Sequence, residues 1–194
     1  MPLPPKSDRR EWVLEVLDQF EVRLLRYATR LAADEHRGQD AVQQAFLRLC
    51  DGYPDELREQ VAPWLFTVCR NCIVDQHRKN GRERLLGDIE SRGEEADCAA
   101  NEPDPAALAE AKDAAGRLRL LVAALPAAQR EAVDLWSEGF DYRQISQITQ
   151  RSQVSVRVLV HRGLKRLREH PVVRKMLAED GTERQETTPS ARGK

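Results

Sequence analysis

The chain has 194 residues and a mass of 22.1 kDa, which fits one ordinary domain or two small ones. Hydrophobic residues make up 41% and charged residues 32%, so a core can form beneath a heavily charged surface; aromatics at 5% and short β-branched runs favour helix. No apolar run approaches the roughly 18 residues of a membrane span, and the Pro-rich, charged start has no apolar signal core, so a cytoplasmic protein is expected.

In chain order, residues 1–10 read as an N-terminal extension. Trp12, Val16, Phe20, Leu24, Ala28 and Leu31 then recur every three or four residues, the apolar stripe of a long helix. A second helix is expected from about Gln39, with Val42, Ala45, Phe46 and Leu49 on one side, ending near Asp51-Gly52. Pro63 suits the first turn of a third helix, whose stripe is Leu65, Val68, Cys69, Cys72 and Ile73. That helix runs into the basic stretch His77-Arg78-Lys79. The three helices can share one core over residues 11–86.

Residues 87–106 carry Gly, Pro, Asn, Ala and acids without apolar periodicity, the composition of a solvated linker. Between Gly87 and Asp113 nine acids face two bases, a net −7, although the whole chain carries only −1. Helical pattern resumes over Leu108, Ala111, Ala115, Leu118, Val122 and Leu125. Pro126 opens a short helix that Gly139 closes, and Asp141 with Gln144 forms a capping box for the next one. Ser152 caps a last long helix, and residues 171–194 read as a polar, mostly disordered tail. The fold class is all-α: two small helical domains, 11–86 and 107–170, joined by an acidic flexible linker.

The segment from Tyr142 to Arg168 has the helix, tight turn and basic helix of a helix-turn-helix. At about 100° per residue, Val156, Val160, Gly163 and Leu167 share an arc of roughly 60°. Arg157, His161, Lys165 and Arg168 fall on another face, with Arg162 further round. Eight bases and one acid between Arg151 and Lys175 give this segment +7, the charge of a polyanion-binding surface. An amphipathic surface helix without a nucleic-acid partner is the plainer alternative.

Two longer blocks are more specific. Asp40-Ala-Val-Gln-Gln-Ala-Phe-Leu-Arg-Leu followed by Trp64-Leu-Phe-Thr-Val-Cys-Arg-Asn-Cys-Ile-Val-Asp-Gln-His-Arg-Lys resembles region 2 of bacterial sigma factors. Leu125-Pro, Arg130-Glu, Gly139-Phe-Asp-Tyr-Arg-Gln-Ile-Ser and Val156-Arg resemble region 4. Two such regions with only a tether between them resemble the extracytoplasmic-function group. The resemblance implies a promoter-specificity subunit that performs no chemistry and needs no cofactor.

It further implies partners: core RNA polymerase, through the β′ clamp helices and the β flap, and promoter DNA. An anti-sigma factor is a further partner open to it, and no membrane insertion is expected. Asp40, Gln43 and Gln44 match the polymerase-binding helix; their i, i+3, i+4 spacing puts them on one face. Asn71, Asp75, Arg78 and Lys79 match the −10 helix, Tyr53 falls in the loop that holds a flipped −10 base, and Arg82 and Arg84 suit phosphates. Ser155, Arg157, His161, Arg162 and Lys165 match the −35 helix. The acidic linker would thread the polymerase cleft and imitate RNA. Val154-Ser155 stand where relatives usually have Gly-Thr, Leu159 replaces a common base, and Gln44 replaces a more usual Glu.

Rival readings are a stand-alone helix-turn-helix repressor or activator, and a metal or redox sensor built on Cys69-x-x-Cys72 and His77. Against the latter, both cysteines lie on the apolar stripe of their helix, as small hydrophobes would. No metal site and no catalytic arrangement is expected.

Overall fold

The computed structural model describes residues 6–52, 60–79, 103, 105–111 and 113–186, which form nine helices and no strand. The first three are α1 (Lys6–Ala32), α2 (Glu35–Asp51) and α3 (Val61–Lys79). Then come α4 (Pro105–Glu110), α5 (Ala114–Ala123), α6 (Ala127–Ser137), α7 (Tyr142–Thr149), α8 (Gln153–Glu169) and α9 (Pro171–Glu186). Packing divides them into two compact units, Met1–Ala96 with Asp134–Val158, and Asp97–Val133 with Leu159–Lys194. This boundary differs from a simple cut at the linker, because the end of α6, α7 and the start of α8 pack with α1–α3.

In the first unit, Val16, Phe20, Leu24 and Ala28 are buried as their spacing requires, with Ala32 completing the stripe while Trp12 and Leu31 are half-buried. α1 starts at Lys6, inside the expected extension, since nothing before Trp12 breaks it beyond the prolines of the first five residues. α2 begins four residues before the expected Gln39. The cause is Asp34, whose carboxylate accepts the Arg37 N–H at 3.1 Å and caps the helix. That hydrogen bond holds the Asp34 carboxyl below the usual carboxylate range. Ala33, at φ 51°, makes the sharp turn between α1 and α2. α1 and α2 then cross closely: a Cβ on Gly38 would come within 2.8 Å of the Thr29 backbone nitrogen.

α3 is buried on two sides. Leu65, Cys69, Cys72 and Ile73 form the expected stripe, while Phe66, Arg70, Val74 and His77 form a second one beside it. α7 packs against α3, and the Phe140 ring meets Phe66 edge-on at 4.8 Å; Tyr27 lies 5.1 Å from Phe66 on the other side. Polar bonds reinforce this contact. Arg23 Nε donates to Glu138 Oε2 at 2.9 Å, Arg26 pairs with the same carboxylate at 3.3 Å, and Arg30 Nε lies 3.2 Å from Asp134 Oδ2.

The second unit is built on Leu121, Leu125, Val133 and Leu167, with Leu108, Val122, Leu164, Val172 and Val173 packed around them. The stripe expected to run unbroken from Leu108 to Leu125 is split in two. Asp113 interrupts it, taking the Gly116 N–H at 2.8 Å as the cap of α5. Pro126 precedes α6, and Arg130 donates to the Ala123 carbonyl at 2.8 Å, closing the end of α5. α9 replaces much of the expected disordered tail. Its first turn is seeded by Pro171, by His170 Nδ1 accepting the Val172 N–H, and by Val172 and Val173 on the core.

Candidate nucleic-acid interface

The helix-turn-helix is held together by local bonds. Phe140 N–H reaches the Leu135 carbonyl and Gly139 N–H that of Trp136, with Gly139 at φ 90°, which ends α6 in a Schellman turn. Asp141 and Gln144 form the reciprocal capping box at 2.7 and 3.0 Å. Gln150 takes the left-handed conformation at φ 57°, Ser146 Oγ donates to the Arg151 carbonyl, and Ser152 Oγ accepts the Ser155 N–H. A three-residue connection therefore sets α8 at a fixed angle to α7.

Along α8 the expected partition holds. Val156 and Val160 are fully buried and Gly163 and Leu167 are buried, whereas Arg157, His161, Arg162 and Lys165 are exposed. Ser155 is half-buried, with its N–H engaged by the cap. A Cβ on Gly163 would lie 2.6 Å from Val133 Cγ2, so this glycine lets α8 approach α6 closely. The Arg157 guanidinium stands 5.7 Å over the Tyr142 ring, a cation–π contact that orients it at the start of the exposed face. Lys165 reaches Glu169 at 3.8 Å, an exposed pair of little energetic weight.

On α3, Asn71 is half-buried and Asp75 and Arg78 are exposed. By helical winding they lie roughly 120–180° from Phe66, on the face left open by both buried stripes. The Lys79 backbone ends the helix, and its side chain, like Tyr53, Arg82, Arg84 and the linker acids, lies outside the described residues. Cys69 is fully buried, and burial, with Cys72 beside it, pushes its thiol up to about 12; burial also raises Cys72. Neither is poised as a thiolate at neutral pH. No cluster of three metal-ligating side chains occurs among the described residues.

Asp40, Gln43 and Gln44 are all exposed on α2. The row borders a shallow apolar groove of about 310 Å³ that Leu17, Leu25, Val42, Phe46 and Leu47 line. Sequence reasoning found the polar row and missed the groove. Leu47, 48% exposed one turn past Gln43, was the available signal. Also missed were the arginines of α1 at i, i+3 and i+7, and two exposed valines on α8.

Comparison with known proteins agrees with this layout. The sigma-70 region 2 family model matches residues 16–83 and the sigma-70 region 4 model residues 115–167. The ECF RNA polymerase sigma factor SigE of Mycolicibacterium smegmatis is 28% identical over 158 residues, 80% of this chain and 60% of that protein's length. The ECF RNA polymerase sigma factor SigM of Bacillus subtilis is 27% identical over 79% of this chain and 91% of its own. Among solved structures, the sigma factor RpoE in complex with the anti-sigma factor NepR, from Bartonella quintana, matches with a TM-score of 0.56 at 26% identity. That match covers 84% of this chain and 96% of RpoE.

Proposed function

Because the chain belongs to the extracytoplasmic-function group of sigma factors, we propose that it directs bacterial RNA polymerase to specific promoters as a dissociable subunit. Asp40, Gln43 and Gln44, with the adjoining groove, dock on the β′ clamp helices. The open face of α3 lies along the melted −10 strand, where Asn71 meets an unstacked base edge and Arg78 a phosphate, while Asp75 shapes the same surface. Tyr53 and Lys79 join them. α8 enters the major groove of the −35 duplex through Ser155, Arg157, His161, Arg162 and Lys165. The second unit also meets the β flap. The protein performs no reaction of its own and works in the cytoplasm where polymerase works, and an anti-sigma factor is its natural antagonist.

The observation that carries this reading is the clean split of α8: four cationic or titratable side chains on an open face, over valines that are fully buried. The test is run-off transcription with core polymerase on genomic fragments, beside a gel shift without polymerase. Promoter-specific transcripts that require both components are expected. Tight duplex binding by the chain alone, with no transcript, would make it a self-sufficient repressor or activator. Within the same assay, Asp40→Lys should weaken capture by core polymerase without lowering the melting temperature, since a rim charge has been reversed. Unchanged capture would reduce the α2 row to a solvated face.

A further inference from the structure

Two valines stand where folding does not require them. Val154 is 70% exposed and Val158 39% exposed, at i and i+4 in the first two turns of α8. Winding places them at roughly 60° and 100° from Arg157, among His161 at about 40° and Lys165 at about 80°. The cationic face thus carries an apolar strip at the end of the helix that reaches deepest into a major groove. In that groove, the apolar group a base pair presents is the C5-methyl of thymine. We propose that Val154 and Val158 read thymine methyl groups in the −35 element and that the preferred element contains thymine at the positions they meet.

This rests on the proposed function. A −35 duplex is selected from a random library by the holoenzyme, and each thymine is then replaced with deoxyuridine, which lacks only the methyl. Parent holoenzyme should lose about three- to fivefold in affinity at the contacted thymines. Val154→Ala or Val158→Ala should abolish that sensitivity while leaving the fold intact. A parent indifferent to every such replacement overturns the proposal. Arg157→Ala separates the two levels: if it erases the −35 footprint while deoxyuridine has no effect, only the methyl readout fails.

A second, independent observation concerns the α1–α6 bonds. Three arginines at i, i+3 and i+7 of α1 hold Asp134 of α6 and Glu138 just past its end. Glu138 and Asp134 are only 7% and 8% exposed, and Arg23 also donates to the Glu138 backbone carbonyl. Phe140 on Phe66 seals the same contact. In this arrangement α7 touches α3, and α8 follows α7 after three residues. The −10 and −35 elements lie about 25 base steps apart, roughly 85 Å at 3.4 Å per step. One helix packed through α7 against the other cannot serve both elements at once. The 25 residues between Lys79 and Pro105 can reach roughly 85 Å when extended, so the chain permits separation.

We infer that the Arg23–Arg26–Arg30 clasp on Asp134 and Glu138 holds a closed form that must open for promoter recognition. The arginines keep 33%, 58% and 37% of their side chains exposed, so a polyanion or salt can compete for them. The ionic clasp beside the Phe66–Phe140 contact is therefore the component of this packing that salt or a polyanion can weaken.

The test uses energy transfer between dyes on Cys50 and on Gln147→Cys in the full chain carrying Cys98→Ser, since Cys69 and Cys72 are buried. The parent should show high transfer in dilute salt. Glu138→Lys and, separately, Arg23→Glu should lower the closed-to-open ratio about tenfold or more with unchanged circular dichroism, and 1 M salt should act in the same direction. Unchanged transfer in both variants and in salt overturns the inference. Run-off transcription by the unlabelled proteins keeps the two readings apart. If no form, parent included, supports transcription while transfer still responds, the promoter reading fails and the clasp stands.

Discussion

α3 and α8 are the two long helices proposed to meet nucleic acid, yet the fold holds them differently. α3 is buried along two stripes and leaves one narrow open face, whereas α8 rests on a single stripe of Val156, Val160, Gly163 and Leu167 and exposes the rest. The contrast matches what each would read. An unstacked base has to be placed against fixed amide and charged groups, which a helix anchored in the α1–α3 core through Leu65, Cys69, Cys72 and Ile73 supplies. A duplex already has a rigid groove, so its reader needs reach and charge more than enclosure.

The most disruptive way to break the comparison is to remove the grip on α3. Phe66→Ala deletes a fully buried ring that touches both Tyr27 and Phe140, and should cost about 3–5 kcal/mol in urea unfolding of the first unit. A loss below about 1 kcal/mol would mean that the second stripe contributes little. For α8 the corresponding change is Gly163→Ala. The added methyl meets Val133 at 2.6 Å, and the second unit should lose about 1–3 kcal/mol despite the better helix propensity of alanine. A melting temperature at or above that of the parent would show that α8 can shift without strain.

Arg157→Ala sharpens the contrast without touching the fold. Removing the guanidinium over Tyr142 should weaken use of the −35 element by about 1–3 kcal/mol while circular dichroism stays the same. An unaltered −35 footprint would take α8 out of the groove. The mildest effect belongs to Asp34→Ala in the α1–α2 turn that supports α3. The carboxyl of Asp34 is lowered in the folded chain, so its contribution is complete above the ordinary carboxylate range near pH 4 and fades as pH falls through the lowered value. The parent should therefore melt higher than the alanine variant at pH 7, and the gap should close under acid. A gap independent of pH would mean that the charge on the cap is immaterial.

Much of this was legible from residue order alone. The stripes of α1, α2, α3 and α8, the capping box at Asp141, the turn glycine at Gly139 and the exposed row Asp40, Gln43, Gln44 depend on neighbours within about four residues. Short-range bonds and helical winding decide them. The start of α2 and the break at Asp113 were also local, but a capping aspartate competes with a continuing apolar pattern, and periodicity follows the pattern. What only the tertiary structure decided is the other side of α3, with Phe66, Arg70, Val74 and His77 buried, and the bonds between Arg23 and Glu138, 115 residues apart. An apolar stripe declares one buried face. A second face shared by aromatic, charged and aliphatic residues has no period to betray it until the partner helix arrives.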